Sequence, residues 1–153
     1  MNRQAFTLLE LLIALTIIGV LAGIFGVSFI RSIRTAELRD AANQVVTDLR
    51  RARSQAQRGS TDVVLVLPGT SGGTTYKVDT VNKTLPSNVK VICKTNCGSG
   101  ATTNITYQAP YGELGGGATG SVYTVRSPIS GINDLEIRIV GVTGKVILTR
   151  AGS

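Results

Sequence analysis

Hydrophobic positions fall into three successive regimes along this chain. From Phe6 to Ile30 a 25-residue run is apolar or small almost throughout, and its only charged residue is Glu10. At 1.5 Å per residue, a helix of that length crosses a hydrocarbon core of roughly 30 Å. Past Ile30 the apolar positions thin to Ile33, Leu38, Ala41, Ala42, Val45, Leu49, Ala52 and Ala56, recurring at three- and four-residue intervals. That spacing predicts an amphipathic helix with one apolar face. Arg31, Arg34, Arg39, Arg50, Arg51, Arg53 and Arg58 fall mostly on the other side, and Gly59 is read as the stop. One continuous helix from Phe6 to Arg58 would be about 80 Å long, more than any bilayer accommodates, so its second half must lie against the rest of the protein.

After Gly59 the pattern becomes short β-like runs separated by Gly, Ser, Thr, Asn and Pro. Strands are expected at Val63 to Leu67, Thr75 to Val78, Val89 to Cys93, Asn104 to Tyr107, Val122 to Arg126, Leu135 to Val140 and Lys145 to Thr149. The segment Gly141-Val142-Thr143-Gly144 would join the last two as a hairpin. The fold class that follows is α+β: a long N-terminal helix packed on a small antiparallel β-sheet head. The divisions are a leader at residues 1–5, an apolar helix half at 6–30, an amphipathic half at 31–58 and a head at 59–153.

Composition narrows the chemistry. The chain has 153 residues with eighteen glycines, three Phe, four Tyr and no Trp, which suits a strand-and-loop head without a large aromatic core. It contains no histidine, which removes most general-base chemistry, nucleophilic triads and ordinary zinc sites. No catalytic residue, metal site or cofactor is expected. Net charge is +7; residues 31–58 contribute +4 and residues 59–153 contribute +3.

Glu10 is the feature that asks for an explanation. A charged side chain deep in a membrane helix costs roughly 2.5 to 3.5 kcal/mol on insertion scales, and the apolar run holds no Lys, Arg or His to compensate it. If the leader Met-Asn-Arg-Gln-Ala were cut after Ala5, the new α-amino group of Phe6 would supply a cation one turn away. Between staggered copies, the amine of one subunit would neutralise the carboxylate of another. Two plainer readings compete: a secretory signal, for which Leu21-Ala22-Gly23 mimics a cleavage site, and a simple membrane anchor. The first has too long an apolar core, and the second leaves Glu10 unaccounted for.

The segment Ala5-Phe6-Thr7-Leu8-Leu9-Glu10-Leu11-Leu12, with the apolar run behind it, resembles the N-terminal signal of type IV pilins and type II secretion pseudopilins. The resemblance implies that a prepilin peptidase cuts between Ala5 and Phe6 and methylates the Phe6 amine, and that Glu10 guides docking into a helical filament. It further implies an inner-membrane, single-pass precursor with a periplasmic head. The implied partners are other pilins and an inner-membrane assembly platform, and the destination is a pilus or pseudopilus at the cell surface. Family leaders usually end in Gly, where this one ends in Ala. Many major pilins carry Pro where this chain has Val27. Local melting of the apolar half would therefore rest on Gly19, Gly23 and Gly26, which also allow close helix packing. The length, β-rich head and closing hairpin resemble the minor subunits called GspH/FimT-like. Some DNA-binding members of that group carry a Gly-Arg-x-Arg element near the C-terminus, and Gly144 to Arg150 does not match it. Lys145 and Arg150 are offered as substitute contacts for DNA or another anion.

Cys93 and Cys97 suit a disulfide outside the cytoplasm, worth about 2 kcal/mol on the chain-entropy estimate. Their spacing is not that of a redox Cys-x-x-Cys pair. The glycine-rich stretches at Gly69 to Gly73 and Gly115 to Gly117 lack the Lys-Ser or Lys-Thr of a phosphate cradle and read as loops. The basic helix face is expected to be a solvated or subunit-facing surface; three more specific readings are lipid headgroups for Arg31 and Arg34, and filament salt bridges or DNA phosphates for Arg50, Arg51, Arg53 and Arg58. The functional expectation is a non-enzymatic minor pilin or pseudopilin. The alternatives are a DNA-binding minor pilin for DNA uptake and a type II secretion pseudopilin.

Overall fold

The computed structural model describes residues 7–98 and 100–152, and for Val27 the backbone alone. Helix α1 runs Leu8–Gly59, 52 residues. It begins two residues later than the hydrophobic pattern suggests, because Thr7 is extended (φ −78°, ψ 146°) and its Oγ1 accepts the Glu10 N–H at 3.3 Å. Thr7 is the N-cap, and Glu10 is the third helical residue. At the other end Gly59 remains helical, and the left-handed position falls on Ser60 (φ 54°, ψ 22°). The reading of Gly59 as the stop is thus one residue early.

Every described side chain from Leu8 to Ile33 is exposed. Burial then starts abruptly: Leu38, Ala41, Ala42, Val45, Val46, Leu49, Ala52 and Ala56 are each at most 4% exposed. Ile33 does not join that stripe, at 43% exposed, and Val46 does. Four alanines, Ala41 and Ala42 near the start of the stripe and Ala52 and Ala56 at its end, let the sheets approach the helix closely.

Among the described residues the head contains nine strands: β1 Val63–Pro68, β2 Thr75–Val78, β3 Val81–Thr84, β4 Lys90–Thr95, β5 Thr102–Gln108, β6 Glu113–Gly115, β7 Val122–Arg126, β8 Leu135–Val140 and β9 Lys145–Arg150. All their pairings are antiparallel. They form two sheets rather than one, in the orders β3-β2-β1-β5-β6 and β4-β7-β8-β9. A bridge between Gly73 and Val91 joins the sheets. The expected β8–β9 hairpin is present, with the Gly144 N–H donating to the Gly141 carbonyl at 3.1 Å.

The core lies where the helix stripe meets both sheets. Leu65, Leu67, Ile105 and Tyr107 come from the first sheet, and Tyr123, Val125, Ile137 and Ile139 from the second. A buried polar tie fastens the helix to the first sheet. Asp48, 4% exposed, accepts the Tyr76 hydroxyl and both bonds from Lys83 Nζ, at 2.7 and 2.8 Å. Burial first, and then Asp48, push the Tyr76 hydroxyl well above its ordinary pKa.

Candidate functional site

The processing residues Ala5 and Phe6 lie outside the described residues. The structure describes the chain from Thr7 onward, and there Glu10 occupies the third helical position behind a Thr cap. The Thr7-x-x-Glu10 spacing is that of a capping box, and a carboxylate in the first turn is favoured by the positive end of the helix dipole. Local structure therefore orients Glu10 within the first turn. It also places the acid on the half of α1 whose described side chains are all exposed. The window of highest mean hydropathy in this helix, 2.6, is wholly exposed, so α1 is long and apolar enough to cross a membrane or to be covered by other helices.

Strand β9 separates Lys145 from Arg150. The two residues stand at opposite ends, about 17 Å apart at the usual strand rise, and five positions apart puts their side chains on opposite faces. Lys145 pairs with Val140, and Arg150 with Leu135. Arg150 borders a recess with Arg39 and Leu38, whereas Lys145 stands at the rim of a cleft with Arg50 and Arg53. The two do not form one anion site.

The second sheet has an outward face of one dominant sign. Along it run Lys90, Ile92 and Lys94 of β4, Val122, Thr124 and Arg126 of β7, Glu136, Arg138 and Val140 of β8, and Lys145, Ile147 and Thr149 of β9. Glu136 is 1% exposed at its centre, held by Lys94 at 2.7 Å and Arg138 at 3.0 Å. The hydrogen bond from Lys94, then that from Arg138, holds its carboxyl below the ordinary range. Arg126 pairs with Asp134 at 2.9 Å. Five basic side chains against these two acids leave this face at +3, the whole net charge of the head, because Lys77, Lys83 and Arg150 balance Asp62, Asp79 and Glu113.

Cys93 and Cys97 are joined by a disulfide with Cα atoms 5.7 Å apart. It closes a turn in which Asn96 is left-handed (φ 52°), its side-chain amide donates to the Thr119 carbonyl at 2.9 Å, and its own carbonyl accepts the Ser121 hydroxyl at 3.1 Å. The pair fixes that turn beside the register shift between Cys93 and Thr95. Among the described residues no cluster of three or more His, Cys, Asp or Glu could hold a metal ion.

On the helix, Arg34 pairs with Glu37 at 2.9 Å, and Arg58 turns back to the Ser54 carbonyl at 3.3 Å. Arg53 departs from the expected solvated face. Its Nε is buried, and its charge lies close enough to Tyr107 to offset part of the effect of burial, which pushes that hydroxyl up to about 12. The sequence places Arg53 on the basic face and gives no sign of its burial beyond its position four residues after Leu49 and three before Ala56, at the margin of the apolar stripe.

Comparison with known proteins agrees with this geometry. Residues 1–26 match the family model of the prokaryotic N-terminal methylation motif. No curated protein matches the chain. Among solved structures it is similar to the type IV minor pilin FimU of Pseudomonas aeruginosa (strain PAO1). One crystal form gives a TM-score of 0.60 and 15% identity, covering 77% of this chain and 95% of that one. A second gives 0.57 and 14%, covering 75% and 98%. The chain thus joins a prokaryotic N-terminal methylation motif to a type IV pilin-like fold, the fold of a minor pilin.

Proposed function

We propose that this protein is a minor type IV pilin or pseudopilin, a non-enzymatic structural subunit that enters a pilus or pseudopilus through its N-terminal helix. In this reading a prepilin peptidase removes residues 1–5 and methylates Phe6. Residues 6–30 anchor the precursor in the inner membrane with the head, 59–153, in the periplasm. An assembly platform then transfers the subunit into the filament, where residues 6–30 pack among the helices of other pilins. One observation carries the proposal: the methylation motif opens a helix whose first half is wholly exposed and apolar while its second half is built into the head. A bare apolar surface of that length requires lipid or other helices around it. Glu10 supplies selectivity, since its carboxylate is costly in apolar surroundings until an amine such as that of processed Phe6 meets it.

The test is intact mass and N-terminal analysis of protein from native membranes. A chain beginning at methylated Phe6 supports the reading, and functional protein retaining Met1 rejects it. Glu10→Val should still insert in the membrane and fail to enter filaments. A type II secretion role uses the same physics and is distinguished by a secretion assay.

A second reading, a minor pilin that binds DNA during uptake, is favoured by the concentration of the head's whole net charge on the outward face of the second sheet. Phosphate contacts of that kind weaken steeply with salt. Gel shifts with the full chain in nonionic detergent, repeated at rising salt, test it. No retardation at low salt removes this reading and leaves the first intact.

A further inference from the structure

Between the last turns of α1 and the β8–β9 hairpin lies a cleft of about 450 Å³ walled by Arg50, Arg53, Ser54, Gln57, Gly144 and Lys145. Its charged residues are all basic, and the polar side chains beside them are neutral. The wall is held in place from several directions. Arg50 donates to the Val146 carbonyl at 3.3 Å, and Gln57 donates to the Tyr111 carbonyl at 3.1 Å. Gly112 is left-handed (φ 64°) and lies so close that a Cβ there would come within 2.8 Å of Gln57 Cγ and 3.0 Å of Arg53 Cγ. The stem of Arg53 is therefore wedged, and its guanidinium has little freedom to turn back into solvent.

Within this wall Arg53 Nε is buried and meets no hydrogen-bond partner among the described residues. Buried donors are nearly always satisfied, and because this one has almost no surface open to the cleft, it marks a guanidinium held without a partner rather than the contact point of a ligand. The helix dipole does not explain an anion here, because this is the negative end of α1. The attraction comes from the side chains. Two guanidinium groups with a lysine at the rim offer what an oxyanion needs, since the planar donor fork of Arg matches carboxylate and phosphate.

We propose that this cleft is an oxyanion-binding site that takes one carboxylate or phosphate group, held by the guanidinium groups of Arg50 and Arg53 with Lys145 adding charge at the rim. The group has two sources: a Glu or Asp side chain presented by another protein subunit, or free phosphate. The site is separate from the apolar helix half and from Glu10, so it stands or falls independently of the filament reading. It shares Lys145 with the outward sheet face, whose Lys90 lies at the opposite edge of that sheet, on β4.

The test follows the side-chain Nε–H resonances of the full chain, labelled with ¹⁵N-arginine, in nonionic detergent. Inorganic phosphate is titrated in one arm and a blocked peptide containing Glu in the other, both at constant ionic strength maintained with chloride. The expected result is a saturable shift of the Arg53 resonance. Affinity, read from Tyr107 ring resonances in the variants, should fall at least about tenfold in Arg53→Lys, the equivalent of one charge-assisted hydrogen bond. Arg50→Lys provides a second, milder loss, and Lys90→Ala should bind as the parent does. Tighter binding of the peptide assigns the site to a protein carboxylate, and tighter binding of phosphate assigns it to the free ion. The proposal is overturned if neither anion gives a saturable shift, if chloride alone reproduces it, or if both arginine variants bind unchanged.

Discussion

Replacing Gly144 with Ala tests how tightly the β8–β9 hairpin is seated, and Gly141→Ala supplies the control within the same turn. Both glycines are left-handed, at φ 62° and 69°. An L-residue in that region costs about 1–2 kcal/mol, and this cost is common to both substitutions. They differ in their surroundings. A Cβ at Gly144 would stand 2.5 Å from Tyr107 Cε1 and 3.0 Å from Leu114 Cγ, whereas at Gly141 the nearest atom is Thr143 Oγ1 at 3.9 Å. Tyr107 is fully buried and cannot swing away without moving the core, so overpacking adds about 1–3 kcal/mol at Gly144 alone. For a head of this size each kcal/mol lowers the melting temperature by about 4–8 °C. Thermal melts of the full chain in nonionic detergent, followed by the near-UV tyrosine signal, should place Gly144→Ala at least about 4 °C below Gly141→Ala. Equal losses in the two variants would refute the argument, because backbone strain would then account for everything and the Tyr107 contact for nothing.

Asp48→Ala removes the acceptor of Tyr76 and Lys83 and should cost about 3–5 kcal/mol in denaturant unfolding, as expected when one partner of a buried ion pair is lost. Lys83→Met should cost less, because Tyr76 still donates to the carboxylate. Glu136 has its pKa depressed in the folded state, so its contribution is complete above the ordinary carboxylate range and disappears as pH falls through the lower folded value. Glu136→Gln should therefore be less stable than the parent at neutral pH and converge with it in acid. A constant gap in melts across that range would contradict this. The double variant Cys93→Ser, Cys97→Ser should lose about 2 kcal/mol yet keep its fold by circular dichroism, since the bond closes only a short loop.

Local periodicity made much of this architecture legible. The helix and seven strands follow from spacings of 3.6 and 2, and so does the hairpin at Gly141 to Gly144. The strands that escaped, Val81–Thr84 and Glu113–Gly115, are edge strands with little apolar content, and their neighbours hold them in place. A clue to the first existed in Asp79, left-handed in a two-residue turn between Val78 and Val81. The division into two sheets depends on β1 pairing with β5 and β4 with β7, contacts between distant segments that no local pattern encodes. Asp48 reads in the sequence only as one of the acids within residues 31–58, although it lies three residues after Val45 and four before Ala52, squarely on the apolar stripe. In the candidate sites, Glu10 could be found because an acid conflicts with its apolar surroundings. The burial of Arg53 could not, because an arginine at the margin of an amphipathic helix conflicts with nothing until the hairpin closes over it. Lys145 and Arg150 looked like neighbours in sequence, and strand alternation set them apart.

The abrupt onset of burial near Leu38 has a mechanical consequence. The embedded portion of α1, Leu38 to Ala56, extends about 27 Å along the axis and lies in line with the bare portion. A pull along the bare portion therefore loads the seam lengthwise, so that the alanine contacts and the Asp48 clasp bear tension together instead of parting one after another. The head is attached along its shaft like a blade let into a handle, a joint that resists traction better than a hinged connection would.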